Sequence, residues 1–215
     1  MSFIKNLEKE IALCLLDIGA VFLNPNEPFV WASGIKSPIY CDNRLILSFP
    51  AERNKIEKAL ASMVRREYPQ CDFVAGTSTA GIAHAALLAD LLYLPMVYVR
   101  GSSKDHGRKS KIEGTFTPNS KAVVIEDLIS TASSAVEVVR VLRDSKVDVL
   151  GIASIFTYNL RKGFETLSQN HVKNVSLTNY DSLIELALDC KKISPHEFEL
   201  LVKFKENPEL WSKEI

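Results

Sequence analysis

The sequence predicts an α/β fold: a central, mostly parallel sheet flanked by helices, with a small cap at the N-terminal end. Three observations predict it. Short apolar runs recur at Phe73–Val74–Ala75, Met96–Val97–Tyr98–Val99, Ala122–Val123–Val124–Ile125 and Val149–Leu150–Gly151–Ile152–Ala153. Stretches of helical periodicity separate them, over roughly 82–92, 132–144, 161–168 and 181–188. Continuous apolar strands alternating with helices imply a parallel sheet covered on both faces. Thirdly, 215 residues can bury a sizeable core and fit one domain, with residues 1–50 as helix and cap and 51–215 as the core.

Taken in order, Ile4, Leu7, Ile11 and Leu15 recur at helical spacing, so residues 2–18 form an amphipathic helix. Val21 to Leu23 and Phe29 to Trp31 look extended, and Ser37, Pro38 and Ile39 lead into a further extended stretch, a hairpin-like cap. Ile56, Leu60, Met63 and Val64 mark a helix over 51–67 with a polar outer face. The alternating core follows. A last helix opens at a capping box, Ser194 with Pro195 and Glu197, and Asn207–Pro208 ends it. The long polar stretch from Gly101 to Ser120 carries Lys104, His106, Arg108, Lys109 and Lys111. Its place between two core strands favours a functional loop over a merely solvated one.

Lys plus Arg and Asp plus Glu both total 26, a formal net charge of zero, which argues against a general nucleic-acid or anionic-membrane binder. Cysteines at positions 14, 41, 71 and 190 have neither zinc-site spacing nor disulfide-framework density, as in a reducing cytosol. Charged residues interrupt the first twenty positions, so neither a signal-peptide core nor a membrane span is expected there. A cytoplasmic location is the expectation.

The segment that carries most chemistry is Val123-Val124-Ile125-Glu126-Asp127 followed by Leu128-Ile129-Ser130-Thr131-Ala132-Ser133-Ser134. An apolar strand ends in two carboxylates, and a loop of small hydroxyl residues then opens a helix. Open α/β sheets bind ligands at the carboxyl ends of their strands. Amides and hydroxyls at a helix start suit a phosphate. Carboxylates repel a phosphate, so Glu126 and Asp127 must serve something else; adjacent sugar hydroxyls, or a phosphate-bound magnesium ion, would fit. The order fits a ribose 5-phosphate along its length. Four hydroxyls within five residues, beside two carboxylates, set the segment apart from an ordinary acidic strand end before a Ser-capped helix.

This segment resembles the phosphoribosyl diphosphate motif of type I phosphoribosyltransferases. Further segments are similar to the orotate phosphoribosyltransferases among them. These are Ser33-Gly34-Ile35-Lys36-Ser37-Pro38-Ile39-Tyr40 (the N-terminal signature), Gly76-Thr77-Ser78-Thr79-Ala80-Gly81 (the pyrophosphate loop), and Arg100 with Lys104-Asp105-His106-Gly107-Arg108-Lys109 (the mobile loop). They run in the family's order from about residue 28 to 135. The resemblance implies the type I phosphoribosyltransferase fold and a magnesium-dependent reaction. In it, orotate displaces pyrophosphate from 5-phosphoribosyl 1-diphosphate to give orotidine 5′-phosphate in pyrimidine synthesis. It assigns catalysis to Lys104, His106 and Arg100. Substrate contacts fall to residues Glu126 through Ser134, to Lys36 and Tyr40, and to Thr79, Ala80 and Gly81. Magnesium would be held mainly by substrate, with Glu126 and Asp127 as the protein's candidate ligands. It also implies a homodimer in which the mobile loop reaches the neighbouring site, with no nucleic-acid or membrane partner.

Taken by itself, Gly76–Gly81 is neither a P-loop, because Ile82 and Ala83 stand where Lys and Ser/Thr are required, nor a nucleophile elbow, because Ala80 replaces a glycine. A tight turn exposing backbone amides is what remains. Tyr40 is a candidate either to stack on a pyrimidine or to pack within the cap. Many family members carry Gly where Ala132 stands; the expectation here is a helical Ala132. Some carry Lys at the positions of Ala32 and Ala80, Lys or Arg at that of Gly101, and an Arg for the orotate carboxylate where this chain has Phe156-Thr157-Tyr158-Asn159, with Arg161 nearby. A phosphoribosyltransferase for another base would lack the Ser33–Tyr40 segment. A non-catalytic sensor of the donor would lose Lys104 and His106 or gain a basic face.

Overall fold

The structure, a computed structural model, describes residues 2–30, 34–101 and 111–214. Helix α1 (Ser2–Asp17) leads into four short strands, β1 (Val21–Leu23), β2 (Phe29–Val30), β3 (Lys36–Ser37) and β4 (Ile39–Cys41). β1 pairs antiparallel with β4, and β2 with β3, so the expected cap is two nested ribbons. A 3-10 turn (Asn43–Ser48) and α2 (Pro50–Glu67) follow. Pro50 occupies the first turn of α2, where its missing N–H is no loss.

The core runs β5 (Phe73–Thr77), α3 (Ala80–Leu92), β6 (Met96–Val99), β7 (Ile112–Glu113), β8 (Lys121–Ile129), α4 (Ser133–Asp144), β9 (Asp148–Thr157), α5 (Arg161–Gln169), β10 (Asn174–Asn179) and α6 (Tyr180–Asp189). The sheet order is β10-β9-β8-β5-β6-β7, parallel except for β7. Alternate residues of each strand face opposite helical layers. Val74, Val123, Ile125 and Ala153 pack with α1, α2, α3 and α6. Ala75, Ala122, Val124 and Ile152 pack with α4.

This topology positions the site. From β5 the chain turns through α3 towards β6; from the adjacent β8 it turns through α4 towards β9. Neighbouring strands whose connections depart in opposite directions and over opposite faces leave a crevice at their carboxyl ends.

Several elements differ from expectation for identifiable reasons. β8 does not stop at Ile125; it continues to Ile129 because β9 pairs with it as far as Thr157. β10 escapes notice in the sequence because Asn174, Ser176 and Thr178 break its apolar run on an edge with a single neighbour. β7 lies inside the polar stretch as an antiparallel edge. Beyond α7 (Pro195–Glu206), whose capping box forms as expected, a further helix α8 (Pro208–Glu214) begins at the proline that ends it. α8 lies against the cap, where Ser212 Oγ accepts from Lys36 N at 2.9 Å, and against α7, where Trp211 meets Phe204 edge-on at 5.4 Å.

Candidate functional site

The carboxyl ends of β5 and β8 enclose a cleft of about 320 Å³, lined by Ser78, Thr79, Ala80, Glu126, Asp127, Leu128, Ser130, Thr131, Ala132 and Ser134. The acid pair, the hydroxyl loop and the Gly76–Gly81 segment, 40 residues and more apart in sequence, thus meet in one place. Ile129 is buried beneath this wall.

On the β5 side the turn is shorter than expected. Gly76 and Thr77 are still strand, Ala80 is already helix, and Ser78–Thr79, joined by a cis peptide bond, make the whole connection. Ser78 is pinned to the end of β6, donating from N (3.2 Å) and Oγ (2.6 Å) to Val99 O. The glycines serve close packing rather than the bend. A Cβ on Gly81 would run into Thr77 Oγ1 and Ile125 O, so only glycine lets α3 start this near β8.

Thr77 is a residue that sequence reasoning missed. Its hydroxyl is shared between Ile125 O at 3.2 Å and Glu126 Oε1 at 2.7 Å. Asp127 N also donates to Glu126 Oε1, at 3.1 Å. Glu126 is 6% exposed. Burial, reinforced by the neighbouring Asp127 and opposed by the Thr77 hydrogen bond, pushes its carboxyl up to about 8 from an ordinary 4.5. A folded-state pKa above the unfolded value means that the folded state holds the extra proton between those limits. Stability should therefore fall as pH rises from about 4.5 to 8, by on the order of a few kcal/mol. Thermal melts of the ligand-free protein and of Glu126→Gln should diverge over that window, the wild type losing Tm relative to the variant. Parallel curves would show that Glu126 ionises normally.

On the β8 side, Ala132 corrects the helical expectation. It caps α4 at φ 61°, ψ 7°, in the left-handed region, at about 1 kcal/mol or more for a residue with a Cβ. The sharp turn there is what brings Ser130 and Thr131 back over the helix start. Ala132 has no side chain with which to cap α4; Thr131 Oγ1 and Ser133 Oγ lie 3.1 Å apart, and among the described residues no side chain takes the first amides of the helix, which suit an anionic ligand. Gly163, in α5, passes so close to Ser130 O that a Cβ would strike it, and this contact backs the loop.

Arg100 follows β6, with its N donating to Lys111 O at 2.9 Å and Nη1 3.4 Å from Glu113 Oε1. Lys104 and His106 lie outside the described residues, as do Trp31, Ala32, Ser33 and 105–110. Lys36 is in β3 and half-buried. Tyr40 is 39% exposed, its ring tilted against Phe29 at 5.7 Å, so cap packing leaves part of one side open. Tyr158 is buried and takes a backbone hydrogen bond from Cys41; burial drives its hydroxyl well above the usual range. Arg161 begins α5, exposed and paired with Glu165 at 2.8 Å; it lines a separate pocket with Ile35, Ser130 and Thr131.

No cluster of three or more His, Cys, Asp or Glu side chains among the described residues forms a protein-only metal cage. The adjacent carboxylates of Glu126 and Asp127 are hard oxygen donors of the kind that magnesium shares with substrate phosphates. No helix among the described residues is long and apolar enough to cross a membrane.

Comparison with known proteins places this geometry. Residues 46–188 match the family described as the phosphoribosyl transferase domain. An orotate phosphoribosyltransferase of Listeria innocua is 54% identical over 208 residues, 97% of this chain and 100% of that protein. Among solved structures, the orotate phosphoribosyltransferase of Aeropyrum pernix has a TM-score of 0.70 at 26% identity, covering 81% of this chain and 97% of that one. Leishmania donovani UMP synthase shares the fold, with a TM-score of 0.80 at 24% identity over 93% of this chain and 42% of that longer chain.

Proposed function

The chain belongs to the orotate phosphoribosyltransferase family, and we propose from that premise how its residues divide the reaction. The reaction is transfer of the 5-phosphoribosyl group from 5-phosphoribosyl 1-diphosphate to orotate, giving orotidine 5′-phosphate and pyrophosphate in pyrimidine biosynthesis. The observation that carries the assignment is the single cleft holding acid pair, hydroxyl loop and Ser78–Ala80 turn.

The amides of Ser133 and Ser134 and the hydroxyls of Ser130, Thr131, Ser133 and Ser134 take the 5-phosphate. Asp127 and Glu126 face the ribose hydroxyls. Magnesium bound to the donor would draw on the same two carboxylates and would neutralise pyrophosphate charge. Thr79, Ala80 and Gly81 present the start of α3 to the pyrophosphate. As the anomeric carbon becomes cation-like, charge grows on the departing oxygens, and Arg100, Lys104 and His106 stabilise it. Closure of the loop that carries Lys104 and His106 excludes the water that would otherwise attack the sugar. Lys36 and Tyr40 bring the cap over orotate. The reading includes a single domain with residues 1–50 as helix and cap, a cytoplasmic homodimer, and a mobile loop that serves the partner's site.

The test is loss of orotate absorbance on adding 5-phosphoribosyl 1-diphosphate and magnesium. Turnover of orotate is expected; turnover of another base in its place would keep the fold and overturn the substrate.

A further inference from the structure

β8 outruns β5. The last β5–β8 pair is Gly76 with Ile125, whereas β9 accompanies β8 as far as Ile129. Residues 126–129 therefore have a strand on one side only. Backbone carbonyls two apart on a strand point the same way, so Asp127 O faces the same side as Ile125 O, the side of β5, which has ended by that point. A buried carbonyl left without a donor there costs about 1–3 kcal/mol. At Asp127 a side chain replaces the missing strand: Asn43 Nδ2 donates to Asp127 O at 2.7 Å.

Asn43 is not a core residue. It opens the 3-10 turn that joins the cap to α2, yet it is fully buried. Its Oδ1 accepts from the Cys41 thiol at 3.3 Å, which orients the amide so that its NH2 faces β8. The turn is braced locally: Asp42 caps it by accepting from Arg44 N at 3.2 Å and pairs with the Arg44 guanidinium through 2.6 and 2.7 Å bonds. The donor-side strand end is thus clamped by the cap, through one amide.

We propose that Asn43 is a positioning residue for the donor: its amide fixes the Asp127 peptide, and so the direction of the Asp127 carboxylate towards the ribose. This rests on the reading of Asp127 as a ribose contact. It makes seating of the cap and donor affinity one event, since the bond that holds Asp127 comes from the cap.

The experiment compares wild type, Asn43→Ala, Asn43→Ser and Asn43→Asp. Donor affinity is read by calorimetric titration of 5-phosphoribosyl 1-diphosphate with magnesium and no orotate; kcat, both KM values and Tm are read beside it. In Asn43→Ala the donor Kd and KM are expected to rise about tenfold or more, with the orotate KM within about threefold. Asn43→Asp, which keeps the size but sets a carboxylate against the Asp127 carbonyl, should be worse than Asn43→Ala at pH 8. A fall in Tm with donor Kd and KM within about twofold of wild type would make Asn43 merely structural and overturn the proposal. If Asn43→Ala does not fold, Asn43→Ser decides by the same numbers. Wild type that binds donor but leaves orotate untouched would sink the substrate assignment, while the calorimetric comparison still decides on Asn43.

Discussion

Gly81→Ala is expected to lose roughly 3 kcal/mol or more of stability, and donor binding with it. The new methyl would run into Thr77 Oγ1 and Ile125 O. The Ile125 oxygen is backbone in a central strand, so neither a rotamer change nor a small shift relieves the clash. α3 would have to back away from β8, parting Thr77 from Glu126 and opening the cleft beside Ser78–Ala80. For a chain of this size the loss corresponds to a drop in Tm of about 10 °C. Thermal unfolding and donor titration check both parts, with Ala83→Gly in the same helix as a control for general helix effects. A Gly81→Ala protein within about 1 kcal/mol of wild type would mean that α3 and β8 are not held this close.

Lys104→Ala should lower kcat by about a hundred- to a thousandfold while changing the donor KM only severalfold. The expectation follows from the chemistry. Before bond cleavage the pyrophosphate charge would already be balanced by solvent and by magnesium bound with the donor. During cleavage new negative charge gathers on the leaving oxygens, and a cation placed there acts on the transition state more than on the ground state. Steady-state kinetics with active-site titration separates the two constants. Equal losses in kcat and donor affinity would make Lys104 a ground-state contact and shift the catalytic role towards Arg100 or His106.

Legibility of the fold followed the physics of each element. β5, β8 and β9 announce themselves because their middle residues are buried on both faces and run apolar, and β6 because all four of its residues are apolar. β10 does not, being an edge strand with polar residues on alternate positions. The cleft's acid pair and hydroxyl loop were visible because they are contiguous in sequence. Thr77 and Asn43 were not: each acts through a hydrogen bond to a strand nearly 50 or more residues away, and nothing local marks either. Ala132 misled because a helix start and a left-handed turn before it look alike in composition; a methyl-bearing residue in that turn is the rarer case. The Gly76–Gly81 segment does hold the expected tight turn, at Ser78–Thr79, while its glycines mark close approach.

The contact of α8 with the cap has a bearing on the order in which the molecule assembles. Lys36 and Ser212 are 176 residues apart in sequence, and their hydrogen bond joins strand β3 to a helix that follows the entire sheet. Contacts of such separation carry the largest chain-closure entropy and are not rewarded until the intervening structure exists. That contact is therefore expected to close late, on a surface that the finished core presents. A sheet formed without that contact would hold its hydroxyl loop in place and still lack a seated cap.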